Sequence, residues 1–207
     1  MEHFVITIAR QYGSGGRTVG EMLAKKLGIS YYDKQIIHMA SDESGIDVSL
    51  FGKVEEGSSV KKGSFFNRTG LYKGDLIPPD SKEFISDENL FNYQAKVIYD
   101  LAERESFVVI GRCVNYVLKD RPNTLRVFIH APWEFRVEQA MTKISGTREE
   151  VEKFLLKDDK RKQDYYRRFA GGVWNDATNY DLCLNCGKLG FDKCVEAIEA
   201  QMNIMRK

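Results

Sequence analysis

Scarce cysteine, almost no excess charge and the lack of any long apolar run bound what this chain can be. Four cysteines in 207 residues need no disulfide reading, because a reducing compartment would keep them as thiols. Cys183 and Cys186 have the spacing of a metal-ligand pair. A structural zinc site needs four ligands, however, and no second close pair accompanies them, so core thiols are the expectation. The 31 basic and 30 acidic residues leave a net charge of +1, which removes any global attraction to nucleic acid or to an anionic membrane. Neither is expected as a partner, and any recognition of anions must be local. No run is long enough to cross a bilayer, and the basic-then-apolar pattern of a secretory signal is missing; the expected location is cytoplasmic. Internal repeats are also lacking. With 43% hydrophobic residues the chain can bury one sizeable core without staples, so residues 1–207 are read as a single domain.

The most informative feature present is the run Gly13-Ser14-Gly15-Gly16-Arg17-Thr18. It follows an apolar, β-branched stretch, Phe4 to Ala9, of the kind that forms a buried strand. After it, Val19, Met22, Leu23 and Leu27 recur at helical spacing until Gly28, a residue type that commonly ends helices. Strand, glycine loop and helix in that order make an anion site. Glycines let backbone N–H groups approach phosphate oxygens, and the positive end of the helix adds attraction. Gly13, Ser14, Gly15, Gly16, Arg17 and Thr18 are therefore the candidate phosphate-binding residues, with Thr18 placed to offer its hydroxyl to Mg²⁺. The loop departs from the usual pattern at Gln11, where glycine opens it, and at Arg17, where lysine precedes the Ser/Thr. Arg binds phosphate with a planar fork rather than as a compact charge. A dinucleotide-binding loop competes, since Asp33 lies at a suitable distance for a ribose contact, but Thr18 occupies the position of the third glycine.

Further strands are expected at 29–33, 107–110, 127–129 and 180–185, separated by helical patterns. Five apolar strands alternating with helices predict a parallel sheet covered on both faces, with ligands beyond the strand carboxyl ends. Asp33, Gly111-Arg112 and His130 all follow strand ends and should share one edge with the glycine loop. His130 is expected to pack or hydrogen-bond there. The stretch from about Ser44 to Lys82, rich in Gly, Ser, Lys and Asp and containing Pro78-Pro79, shows little periodicity and is read as a mobile insertion. Thr147-Arg148-Glu149-Glu150 has the form of a capping box, starting a helix that carries a basic cluster toward Gly171-Gly172.

Tyr12 to Gly20, Tyr31-Tyr32-Asp33-Lys34, Gly111-Arg112-Cys113, Arg126 to Ile129 and the basic segment ahead of Asn179-Tyr180-Asp181-Leu182, taken in order, resemble the P-loop nucleoside monophosphate kinases, most closely the cytidylate kinase-like group. The resemblance runs over nearly the whole chain. It implies a three-layer α/β/α P-loop kinase fold on a five-stranded parallel sheet, with an inserted acceptor-binding region near 44–88 and a helical lid near 147–178. It also implies Mg-ATP as phosphoryl donor and a small phosphate-bearing acceptor, with CMP or dCMP leading. Phosphoryl transfer requires cations to converge on the phosphates.

On this basis Arg17 is assigned to the donor phosphates, Arg112 to the acceptor's phosphate or base, and Arg161 with Arg168 to lid closure; Arg17, Arg161 and Arg168 are the catalytic candidates. Asp33 is assigned to the acceptor side, where it could hold Mg²⁺ through water, accept a hydrogen bond from the acceptor, or cap the adjacent helix. Trp174 is either a cover for a base or an anchor for the lid. Related enzymes often carry Asp before Gly-Arg at the third strand, where this chain has Ile110. Two rivals remain: a nucleotide-binding regulatory module with little turnover, favoured by Arg17 and Ile110, and a dinucleotide-dependent oxidoreductase.

Overall fold

The computed structural model describes residues 3–58 and 75–206. Five parallel strands, β1 (Val5–Arg10), β2 (Ser30–Tyr32), β3 (Phe107–Ile110), β4 (Thr124–His130) and β5 (Leu182–Asn185), form one sheet in the order β2-β3-β1-β4-β5. Strict alternation along the central strands decides what each face buries. Ile6 and Ile8 of β1 and Val108 and Ile110 of β3 turn to one side, where α1 (Gly16–Leu27) and α9 (Phe191–Met205) cover them with Val19, Leu23, Val195 and Ile198. Val5, Ala9, Phe107 and Val109 turn to the other, beneath α2 (Gln35–Ser44), α3 (Val48–Glu55), α4 (Asp87–Arg104) and the short α5 (Val114–Val117). The result is the expected three-layer α/β/α arrangement.

α6 (Trp133–Met141) and α7 (Arg148–Ala170) follow β4 along the chain. The capping box read from the sequence is present: the Thr147 side chain accepts from the Glu150 N–H, and Glu150 accepts in return from the Thr147 N–H at 2.7 Å. The first half of α7 packs Val151 and Leu155 against Val137 and Ala140 of α6. Its last turns join the main core, with Phe169 stacked on Phe91 of α4 at 4.4 Å between ring centroids.

The reading of 44–82 as an unpatterned mobile insertion needs correction. Ile46, Phe51 and Val54 are buried in the core, and α3 is opened by Asp47, whose Oδ1 accepts from the Ser49 N–H at 2.8 Å. Farther on, the buried Asn89 side chain clamps the returning chain by accepting from the Ile77 N–H at 2.9 Å and donating to the Phe84 carbonyl at 2.7 Å. The sequence disguised this stretch because α3 is only 8 residues long, too short for periodicity to stand out. Residues 59–74 of the insertion lie outside the described residues.

Two smaller expectations shift. The last strand begins at Leu182 rather than Tyr180, because a 3-10 turn at Ala177–Asn179 and the bond from Tyr180 Oη to the Trp174 carbonyl, 2.5 Å, occupy the residues before it. Cys113, Cys186 and Cys194 are buried free thiols, but Cys183 is exposed. It sits on the edge strand β5, where alternation turns Leu184 inward and Cys183 outward.

Candidate active site

The glycine loop joins β1 to α1 by a path only glycine follows comfortably. Gly13 and Gly15 have φ of 75° and 87°, in the left-handed region. A Cβ on Gly13 would strike the Arg136 carbonyl, and one on Gly15 the Phe191 ring. Ser14 is fully buried, and its hydroxyl donates to the Gln11 carbonyl at 2.8 Å and the Ile129 carbonyl at 3.1 Å. Its hydroxyl thus shapes the loop. Gln11 has a similar function: its Oε1 accepts from the Ala131 N–H at 3.3 Å and ties the loop's entrance to the end of β4. The start of α1 has no side-chain cap and no acidic residue in its first turn. Its first N–H groups, which have no partners within a helix, are left for an anion. That chemistry fits a nucleotide triphosphate.

β1, β2 and β3 end at a cavity of about 480 Å³. Its wall includes Arg10, Arg17, Asp33, Glu55, Arg112, Arg161, Lys162 and Trp174. Asp33 stands between two of the predicted site residues: Arg17 Nη2 lies 2.6 Å from Oδ2, and Arg112 Nη1 donates to Oδ1 at 3.2 Å. Arg112 reaches on to Glu55, its Nε 2.6 Å from Oε1 and its Nη2 donating to Oε2 at 3.1 Å, a two-pronged grip. On α7, Arg161 donates to the Glu55 carbonyl at 2.6 Å and to Asp158 Oδ1 at 2.5 Å. Lys162 Nζ lies 2.6 Å from Asp158 Oδ2.

Arg112 is aimed by backbone strain. Gly111, Arg112 and Cys113 are three successive left-handed residues, with φ of 72°, 55° and 55°. For the two non-glycine members this costs of the order of 1–2 kcal/mol each. Such clustering marks sites where position matters more than relaxation. The neighbouring Cys113 thiol is no nucleophile, because burial pushes it far above its ordinary value.

Four predicted residues therefore meet here: Arg17, which the glycine loop contributes, with Asp33, Arg112 and Arg161. Arg168 does not. Its Nη1 lies 2.5 Å from the buried Asp87 carboxylate and its Nη2 donates to Glu88 at 3.0 Å, fastening α7 to α4. Trp174 is buried edge-on to Phe128, 5.4 Å between centroids, and also lines the cavity. His130 stacks on Phe128 at 6.3 Å.

Sequence reasoning passed over Arg10, Glu55, Lys162 and the role of Arg136. Arg10 is the last residue of β1, and its guanidinium covers the space where a Cβ on Gly111 would sit. Burial is the main cause lowering it below the usual guanidinium value, with Asp33 acting in the other sense. Lys162 is lowered to about 8, chiefly by burial and then by repulsion from Arg10, against the attraction of Asp158. Arg136 is buried on α6, donates through Nε to the Tyr12 carbonyl at 2.8 Å and grips Asp159 of α7. The available signals were slight: a basic residue closing a strand just before a glycine loop, and one lysine inside a charge run.

A phosphate-shaped loop on a five-stranded parallel sheet, beside a cation-lined pocket at the strand carboxyl ends, defines a P-loop kinase. The structure is similar to an uncharacterized protein from Eubacterium ventriosum, with a TM-score of 0.70 at 23% identity over 97% of this chain and 99% of that one. A shikimate kinase from Bacteroides thetaiotaomicron shares the fold at a TM-score of 0.54 and 11% identity, covering 99% of both chains. In sequence, the cytidylate kinase of Methanopyrus kandleri is 24% identical over 200 residues, 96% of this chain and 93% of the relative. The chain belongs to the cytidylate kinase-like family, whose profile matches residues 5–188. That membership supports a nucleotide kinase activity. Among the described residues, no helix is long and apolar enough to cross a membrane.

Proposed function

We propose that this chain transfers the γ-phosphoryl group of Mg-ATP to a small phosphate-bearing acceptor, with CMP or dCMP the leading candidate. The observation that carries the reading is the single cavity wall on which Arg17, from the glycine loop, meets Arg112 from the turn after β3 and Arg161 from α7. Donor and acceptor phosphates need such convergent charge to approach one another. The glycine loop and the first turn of α1 would hold the donor's phosphates, and Thr18 is the protein oxygen offered to Mg²⁺. Bound there, the ion would neutralise charge on the β- and γ-phosphates. An oxygen of the acceptor's phosphate attacks the γ-phosphorus in line, the bond from that phosphorus to the bridging oxygen breaks, and ADP leaves with the electron pair. Arg17 and Arg161 stabilise the charge spread over the transferring group; Arg112 and Asp33 orient the acceptor. Arg168 assists indirectly by fixing α7 in place. Residues 44–58 and 147–178 supply the acceptor wall and the lid within one domain.

Mg²⁺-dependent ADP production across a panel of nucleoside monophosphates and other phosphate acceptors tests this, with Arg17→Ala as control. Release stimulated by CMP or dCMP and lost in the control is the expected result. ATP binding without release on any acceptor would instead favour the regulatory-module reading, to which the Ile110 position and the existing pair between Arg17 and Asp33 are suited.

A further inference from the structure

The charges around the cavity do not balance. Asp33, Glu55 and Asp158 serve Arg17, Arg112, Arg161 and Lys162 as ion-pair partners. Arg10 has no ion pair with any described residue, although it lies within the field of Asp33 and Asp158. Five cations facing three carboxylates leave two positive charges, and the exposed Lys34 and Glu56, also on the wall, cancel each other. A partly buried guanidinium with no counter-ion is costly to maintain. Two features place it where a ligand can supply that counter-ion: it lines the cavity floor above Gly111, and Lys162 lines the same cavity close enough to feel its repulsion.

We propose that Arg10 and Lys162 together form a subsite for the dianionic phosphate of the acceptor, so that the pocket selects a phosphomonoester over the same compound bearing a free hydroxyl. The proposal rests on the phosphotransfer reading for the identity of the acceptor, but not for the chemistry of the subsite. A phosphomonoester carries close to two negative charges at neutral pH, the amount the wall lacks. Arg10 supplies a planar fork fixed by the end of β1, and Lys162 a compact charge delivered from α7. Because the two come from different elements, the dianion also bridges the sheet to the lid helix.

Calorimetric titration of the full chain without ATP tests this, using CMP, cytidine and inorganic phosphate as probes. Wild type is expected to bind CMP at least 100-fold more tightly than cytidine. Arg10→Met and Lys162→Met should each lower CMP affinity by tenfold or more while leaving cytidine unchanged, and Arg10→Lys should fall between. Equal affinity of wild type for CMP and cytidine, or wild-type CMP affinity in Arg10→Met, overturns the subsite. If wild type takes up neither nucleoside nor nucleotide, the acceptor assignment fails by itself and the phosphate arm decides. Because the Arg10 stem packs against Gly16 of the glycine loop, loss of one equivalent of bound phosphate in both Arg10→Met and Lys162→Met then supports the subsite; wild-type uptake in either variant, or none by wild type, overturns it. Should Arg10→Met not fold, Lys162→Met is judged by the same criteria.

Discussion

Lys162 is a residue whose charge changes within the ordinary pH range. It faces Arg10 from β1 and Asp158 and Asp159 from its own helix, and burial holds it near 8 rather than 10.5. In the unliganded protein it therefore loses its charge as pH rises through about 8, whereas the unfolded chain keeps it to about 10.5. A ligand dianion favours the charged form, so acceptor binding above pH 8 should take up protons. The apparent kcat/KM for the acceptor should fall above about pH 8, by up to roughly tenfold per unit. Lys162→Arg should carry the plateau past pH 9; a pH profile from 6.5 to 9.5 on both proteins checks this. Arg17→Ala is expected to raise the Kd for ATP about tenfold or more, as loss of a charged phosphate contact does, whereas Arg161→Ala should lower kcat more than ATP affinity, measured by nucleotide titration beside turnover. Arg17 and Arg112 were legible because each follows a glycine, one at the start of α1 and one just past β3. Arg10 was hidden by being a single charge at the edge of an apolar run, and Lys162 by neighbours of both signs that made the run resemble a solvated face.

At the scale of elements, the turn between β3 and α5 carries the most stored strain. Gly111→Ala would add a methyl group at φ 72° into the space filled by the Arg10 guanidinium. Stability should fall by about 1–2 kcal/mol, read by urea denaturation, and CMP affinity should fall as in Arg10→Met because the guanidinium is displaced. Arg168→Ala tests a different fastening. Its loss leaves the buried Asp87 with one cationic partner fewer, so about 2–4 kcal/mol of stability should disappear, with turnover at low temperature reduced less than in Arg161→Ala. Helical spacing put Arg161 and Arg168 on one face, and both do project from α7 toward the body of the protein. What spacing could not show is that seven residues of helix separate them by about 10 Å, enough to give one to the cavity and the other to α4. The capping box of α7, by contrast, was fully legible, since both of its partners lie within four residues.

Over the whole molecule, a phosphate held by Arg10, Arg17, Arg112 and Lys162 would join β1, α1, the turn after β3 and α7, so binding should tighten the fold as a unit. At a hundred times its Kd a ligand adds about 2.7 kcal/mol, which for a chain of this size raises Tm by roughly 5–10 °C. Scanning calorimetry with CMP should show that rise in wild type and little of it in Arg10→Met. The layered parallel sheet was legible because buried strands between helices leave few other arrangements. The strand order was not, since nothing local in a strand names its neighbour, and the placement of α3 was not, because a short helix is defined by what it packs against.

Arg136 gives this assembly a mechanical property. One guanidinium holds the Tyr12 carbonyl of the glycine loop and the Asp159 carboxylate of α7 together, while the backbone of the same residue fills the space beside Gly13. α7 is a continuous rod of 23 residues, about 34 Å long, and a rod transmits displacement rather than absorbing it. A displacement of α7 would thereby be coupled to the floor on which the donor's phosphates would rest, with the loop and the helix as the two arms of one linkage and Arg136 as its pin.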